Sequence, residues 1–338
     1  MKNQKVVQMK RDRIGHFLVV STLMLSVSLQ ARAAEGENYP NRPITLIAPF
    51  APNGPADAIS RSLGAVMSKN LKQSIVIENV GGAGGTVGAV HVARAEPDGY
   101  TLLLYHVGMA TVTSLYKIPP FDPIRDFEFL GEVAEVPATL VARPDFPART
   151  LKDVTAYIRS RRGEVTLAQA GVGSASQLCG LVLAPILGAN VKTLDYKGSG
   201  PALDDLLSNK VDLLCDLTLN TAPQIRAGRV LPLGISTSKR IASLPNVPTL
   251  QEGGLTNFDW TIWFAMYAPK NTPAPILKRL NEALQVAVSD AGVKARLIGL
   301  GAEATPLSKA TPQYAREHFN AEIKRWGPII KRAGIRAD

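Results

Sequence analysis

The chain is predicted to be an α/β protein of two domains, each a mostly parallel sheet with helices on both faces, with a ligand cleft between them. Three observations predict this. Short β-branched or apolar runs alternate with helical patterns through most of the length, which is the layout of βαβ units. Pro-punctuated stretches at 118–150 and 245–248 interrupt the alternation. A group of helical patterns then closes the chain, so the backbone is expected to enter the second domain and return to the first, crossing near 138 and 262. The expected division is 34–138 plus 263–338 for the first domain and 139–262 for the second.

The first 33 residues are set apart from that fold. Lys2, Lys5, Lys10, Arg11 and Arg13 precede an apolar stretch, Ile14 to Leu29, of 16 residues. Ala31-Arg32-Ala33 then offers a small-residue cleavage site. This is the pattern of a cleavable secretory signal peptide, short for a spanning helix, and predicts export with cleavage near Ala33, the alternative being an uncleaved membrane anchor. The formal charge of +10 includes six cations and one acid, Asp12, from this segment, so the remaining 305 residues carry about +5. Those charges are scattered, with no basic run interleaved with aromatics, which excludes a nucleic-acid footprint.

The first domain begins with the apolar strand 44–50, the turn Ala51 to Pro55 and a helix near 55–70. The β-branched strand 74–78 leads through a glycine-rich loop, 79–85, to a helix ending near Ala95. Pro97-Asp98-Gly99 is a turn before the strand 100–105. In the second domain, strands are expected near 137–142, 165–170, 191–195 and 211–216, with helices near 151–161, 176–187 and 201–208. An extended run, 260–268, precedes helices at 273–289, 290–299 and 311–333.

Three loops carry the site chemistry. Pro52-Asn53-Gly54-Pro55-Ala56-Asp57, Gly82-Ala83-Gly84-Gly85 and Gly173-Ser174-Ala175-Ser176 each follow a strand and open a helix. Unpaired first-turn N–H groups and the positive end of the helix dipole make such a place a seat for an anion. In open α/β sheets ligands lie beyond the carboxyl ends of the strands, where all three loops fall. His106, Asp216 and Thr218 end or follow strands at the same edge and are expected to meet the distal part of a ligand. Asp216 alternatively serves as a turn or cap acid, and His106 as a satisfied loop histidine.

Cys179 and Cys215 are expected to be joined in an oxidising compartment, the alternative being two buried thiols. No metal site is expected, because His91, His106 and His318 have no ligand-like spacing. No cofactor is expected either. Gly82, Gly84 and Gly88 approach a dinucleotide fingerprint, but no acid ends the next strand to hold a ribose. Lys197-Gly198-Ser199 has the wrong order for a P-loop, and Ser174 lacks the G-x-S-x-G elbow. Asp204 and Asp205 are helix neighbours that diverge. A Cys179 nucleophile with His106 as base is the remaining catalytic pairing, and nothing supports it.

Read together, these segments resemble the Bug-type periplasmic solute-binding proteins of tripartite tricarboxylate transporters. The likeness is carried by Tyr39-Pro40 with Arg42-Pro43-Ile44, Pro49-Phe50 with Gly54 to Asp57, Gly82 to Gly85, and Pro97 to Leu102. It continues through Phe121-Asp122-Pro123, Gly171 with Gly173-Ser174, Tyr196-Lys197-Gly198, Val211-Asp212 and Ala268-Pro269 with Thr272-Pro273. Asn53, Val80-Gly81 and Asp195 depart from the family's usual residues. The resemblance implies a two-domain periplasmic binding protein, type II-like and monomeric, closing on a small carboxylate: a di- or tricarboxylate, an aromatic acid or an acidic amino acid. It implies that loops 52–57, 82–86 and 173–176 hold the carboxylate, and that membrane permease subunits are the partner. The competing expectations are a sensor kinase as partner, or an exported hydrolase or transferase on a similar fold.

Overall fold

The structure, a computed structural model, describes residues 38–161, 163–187, 191–255 and 258–337; the expected signal peptide lies outside the described residues. The first half opens with β1 (Ile44–Ala48), α1 (Pro55–Leu71), β2 (Ile75–Asn79), α2 (Thr86–Ala93), β3 (Thr101–His106) and α3 (Gly108–Leu115). Then β4 (Phe127–Ala142) leads into the second half: α4 (Leu151–Ser160), β5 (Thr166–Gln169), α5 (Ala175–Leu187) and β6 (Lys192–Asp195). That half continues with α6 (Ser199–Leu207), β7 (Leu213–Leu217), α7 (Thr218–Arg226) and β8 (Leu231–Ile235). The chain returns through β9 (Thr261–Pro269) to α8 (Ala274–Ser289), α9 (Ala291–Gly299), β10 (Glu303–Ala304) and α10 (Pro312–Ala333).

The strands run in the order β2-β1-β3-β9-β4-β7-β5-β6, with β8 and β10 paired to β4. β1 is parallel to both β2 and β3. Its place between them explains its composition: a central parallel strand is covered on both faces, and Ile44, Leu46, Ile47 and Ala48 are all fully buried. β2, at the edge, alternates half-buried and exposed residues instead. In the second half β5 is parallel to β6 and β7. The antiparallel strand in each half is the one arriving from the other: β9 against β3, and β4 against β7. The sheet is therefore parallel apart from the strands that join the halves and from β8 and the short β10, which are antiparallel to β4.

β4 is the spine. It pairs with β9 from Phe127↔Pro269 to Pro137↔Thr261, and with β7 from Ala138↔Leu217 to Ala142↔Leu213. Register shifts between Phe129 and Gly131 and between Glu132 and Ala134 bend it, as bulges do. They also explain why only its last third, 137–142, is legible as a strand: two extra residues break the period-two alternation. α3, α7 and β8 were likewise not anticipated. α3 is buried almost all round, so it lacks an amphipathic stripe, and α7 contains Pro223, which reads as a helix break. The Cys179–Cys215 disulfide ties α5 to β7 with the Cα atoms 6.0 Å apart. Among the described residues no helix is long and apolar enough to cross a membrane.

Candidate functional site

A cavity of about 570 Å³ lies between the halves, lined by the segments that follow β1, β5, β6 and β7. Each of those segments opens a helix. Gly54, Pro55 and Ala56 start α1; Ser174, Ala175 and Ser176 start α5; Gly198 to Pro201 start α6; Leu217, Leu219 and Asn220 start α7. Four helix N-termini thus converge on one space, each offering first-turn N–H groups without intrahelical acceptors. No lysine or arginine is among the described residues lining it; the charged side chains there are Asp204 and Asp216.

The loop before α1 is held by Asp57, which accepts from the Asn53 N–H at 3.1 Å and from Arg61 Nε at 3.0 Å. Burial would raise the Asp57 pKa, but the Arg61 guanidinium and the Asn53 N–H outweigh it and hold the carboxyl below its ordinary value. Asn53, at φ 64°, adopts the left-handed conformation that asparagine tolerates. Asp57 shapes the loop and does not line the cavity; Pro52, Asn53, Gly54, Pro55 and Ala56 do.

At α5, Ser174 caps the helix by accepting the Gln177 N–H at 3.1 Å, and Gln177 Oε1 accepts the Gly173 N–H at 2.7 Å. Gly173 stays outside the lining, whereas Ser174, Ala175 and Ser176 are in it. The Ser176 hydroxyl is buried and has no hydrogen-bond partner among the described residues. An unmet donor costs free energy unless a ligand satisfies it, so this hydroxyl marks a position for a ligand acceptor.

His106 is buried, stacked on Phe50 with ring centroids 5.0 Å apart and edge-on to Phe264 at 5.6 Å. Its Nδ1 accepts the Gly108 N–H at 2.8 Å, which in the neutral ring places the proton on Nε2. Burial lowers its pKa to about 3, so near neutral pH it is an uncharged donor at the cavity wall. Asp216 lines the cavity too. Its Oδ1 accepts the Leu217 N–H at 2.8 Å and its Oδ2 accepts Asn220 Nδ2 at 2.9 Å. Burial raises its pKa against the pull of those bonds.

The remaining expected residues are placed elsewhere. Gly82, Ala83, Gly84 and Gly85 are not in the lining. Gly84 instead abuts Val172 of the other half so closely that a Cβ on it would sit 1.8 Å from the Val172 carbonyl oxygen. Tyr105 Oη fixes the loop from the first half by donating to Gly84 O at 2.7 Å. Thr218 is buried with its hydroxyl 3.0 Å from Pro137 O and 2.8 Å from Gly301 O, behind the cavity. The N-terminus of α6 was missed. Its signal, Gly198 ahead of Ser199-Gly200-Pro201, is a helix-start pattern in plain view. Phe264 carried no local signal, because only the pairing of β9 beside β3 brings it to His106.

The combination of a two-domain α/β fold and an inter-domain cavity of helix N-termini defines a solute-binding protein. Residues 59–335 match the model of the tripartite tricarboxylate transporter family receptor, and the chain belongs to this family. It is 42% identical over 315 residues, covering 93% of the chain and 91% of the relative, to the protein of the TAR-I ttuE-ttuC' intergenic region of Agrobacterium vitis. Among solved structures it resembles the periplasmic binding protein BugD with a TM-score of 0.85 at 42% identity, covering 88% of this chain and 99% of that one. It also resembles malate-bound MatC of Rhodopseudomonas palustris, with a TM-score of 0.82 at 37% identity over 86% of this chain and 100% of that one. These likenesses support the receptor reading and not the exported hydrolase or transferase.

Proposed function

We propose that this chain is a periplasmic receptor that captures a small organic carboxylate by closing its two domains, and delivers it to the permease of a tripartite transporter without chemical change. The observation that carries this reading is the convergence of four helix N-termini and two neutral donors, the Ser176 hydroxyl and His106 Nε2–H, on a cavity with no lysine or arginine among the described residues lining it. Backbone N–H groups replace the water of a bound carboxylate at no cost in side-chain ordering. A structural neighbour of 37% identity has malate bound, and another of 32% identity has adipate bound.

In this reading residues 34–138 with 263–338 form one domain and 139–262 the other, the strands β4 and β9 being the hinge. The receptor acts as a monomer, after removal of the signal peptide near Ala33. Asn53 to Ala56 and Ser174 to Ser176 hold the carboxylate, with His106 beside it. Thermal unfolding against a panel of di- and tricarboxylates, aromatic acids and acidic amino acids tests it, with loss of each acid assayed in parallel. A ligand at about 100 times its Kd stabilises the protein by ~2.7 kcal/mol. Absence of any shift across the panel, or steady consumption of an acid, would overturn the proposal.

A further inference from the structure

We infer that Asp216 makes this receptor selective for acids with a single carboxyl group, because its own carboxylate fills the second of two anion seats in the cavity. The inference rests on the carboxylate-receptor reading above and narrows it. The four helix N-termini are not equivalent. Those of α1 and α5 come from opposite halves, and the Ser176 hydroxyl beside them is buried and unpartnered. Those of α6 and α7 come from the same half and line the cavity together with Asp216, which accepts the Leu217 N–H and Asn220 Nδ2 at the start of α7. A carboxylate at a positive helix end is what such a seat attracts, and here the chain supplies it at the start of α7.

The charge around the cavity points the same way. A dicarboxylate would bring its second carboxylate to a wall without lysine or arginine, carrying Asp216 and Asp204. Like charges repel, and a site that leaves one group unmatched discriminates against the ligand that carries it. Burial raises the Asp216 pKa. In either protonation state, though, its oxygens occupy the donors that a second ligand carboxylate would need. His106 does not restore a positive charge, because burial keeps it neutral. Phe50, Pro201, Leu203, Leu219, Pro223 and Phe264 give the wall an apolar part, beside neutral polar residues such as Asn53 and Gln224. A monocarboxylic acid with an aromatic ring or an aliphatic chain matches this lining, its carboxylate at α1 and α5 and its body against these side chains.

The test compares matched acids that differ by one carboxyl group, hexanoate against adipate and benzoate against terephthalate, by titration calorimetry on the purified protein. The expected result is tighter binding of the monocarboxylate in at least one pair by about tenfold, equivalent to ~1.4 kcal/mol. Asp216→Ala empties the second seat and should narrow that ratio by a similar factor. Asp216→Ser, which shortens the side chain and so also empties the seat, serves if the alanine variant does not fold. Adipate or terephthalate binding the wild type as tightly as its partner in both pairs would overturn the inference and leave the receptor reading intact. A ratio unchanged in a folded Asp216 variant would overturn it equally. If no acid of either class binds, the carboxylate-receptor reading fails and this inference falls with it.

Discussion

Gly84→Ala should separate ligand binding from folding. Gly84 has φ 66° and ψ 11°, a left-handed conformation costing an L-residue about 1–2 kcal/mol. That strain is present whether the halves are together or apart, so it lowers the unfolding midpoint without touching affinity. The collision is different. A Cβ at Gly84 would lie 1.8 Å from Val172 O and 2.9 Å from Val172 C, where real Cβ atoms essentially never come within 3.0 Å. The Tyr105 hydroxyl anchors Gly84 to the first half, so the overlap falls on the approach of the second half and parts the jaws by about 1 Å. Overpacking of this kind costs ~1–3 kcal/mol, and borne only in the closed form it weakens binding by about 5- to 150-fold. Calorimetric titration with the tightest acid from the panel gives the affinity, and small-angle scattering gives the ligand-induced compaction. Gly228→Ala is the control, with φ 66° and nothing within 4 Å of its new Cβ. If Gly84→Ala binds and compacts as the control does, Gly84 has no part in closure and the argument is wrong.

Three further outcomes are expected. Reducing the Cys179–Cys215 bridge, which spans 36 residues, should lower unfolding stability by ~3–4 kcal/mol in the chain-entropy account, read from denaturant curves with and without dithiothreitol; coincident curves would show that the bridge constrains little. Ser176→Ala deletes a buried hydroxyl that has no partner, so it should leave the unfolding midpoint unchanged or raise it while weakening carboxylate binding by about tenfold. Unaltered affinity would remove this hydroxyl from the binding site. His318 is drawn down by burial, but the Glu132 carboxylate beside it outweighs that and raises its pKa above the ordinary 6.5. The stability from its proton is full below that value and is lost as pH rises through the folded pKa. The unfolding midpoint should therefore fall as the pH rises above the ordinary value of 6.5, and His318→Gln should flatten this slope. An unchanged slope in the variant would count against the pair.

The loops show why some of the site was legible and some was not. The start of α1 announces itself locally, because an apolar strand, a glycine and Pro55 are chemical signals within a dozen residues. The start of α5 does the same through Ser174, which caps it as expected. Gly82 to Gly85 carry the same local signals, yet this loop packs on Val172 instead of lining the cavity. Local chemistry can specify a tight turn ahead of a helix, but not which neighbour that turn will meet. Asp216 illustrates the complementary limit. Its place at a strand's carboxyl end was readable, but its sharing one cavity wall with the start of α6 depends on two strand–helix units that only the pairing of β6 and β7 with β5 brings together.

By itself the sequence determined the α/β class, the helix-opening loops, the paired cysteines as candidates for a bridge and the family resemblance. All of these rest on periodicity and turn chemistry that act over a few residues, or on ordered motifs. The tertiary structure alone decided that β4 and β9 run as a joined pair through the middle of the sheet, and that four helix N-termini and Asp216 share one cavity. Those features come from register and packing between segments far apart in the chain, where bulges in β4 and contacts across the halves set the geometry. No short window of residues carries that information, because the free energy that selects it is gained only when the whole sheet closes around its core.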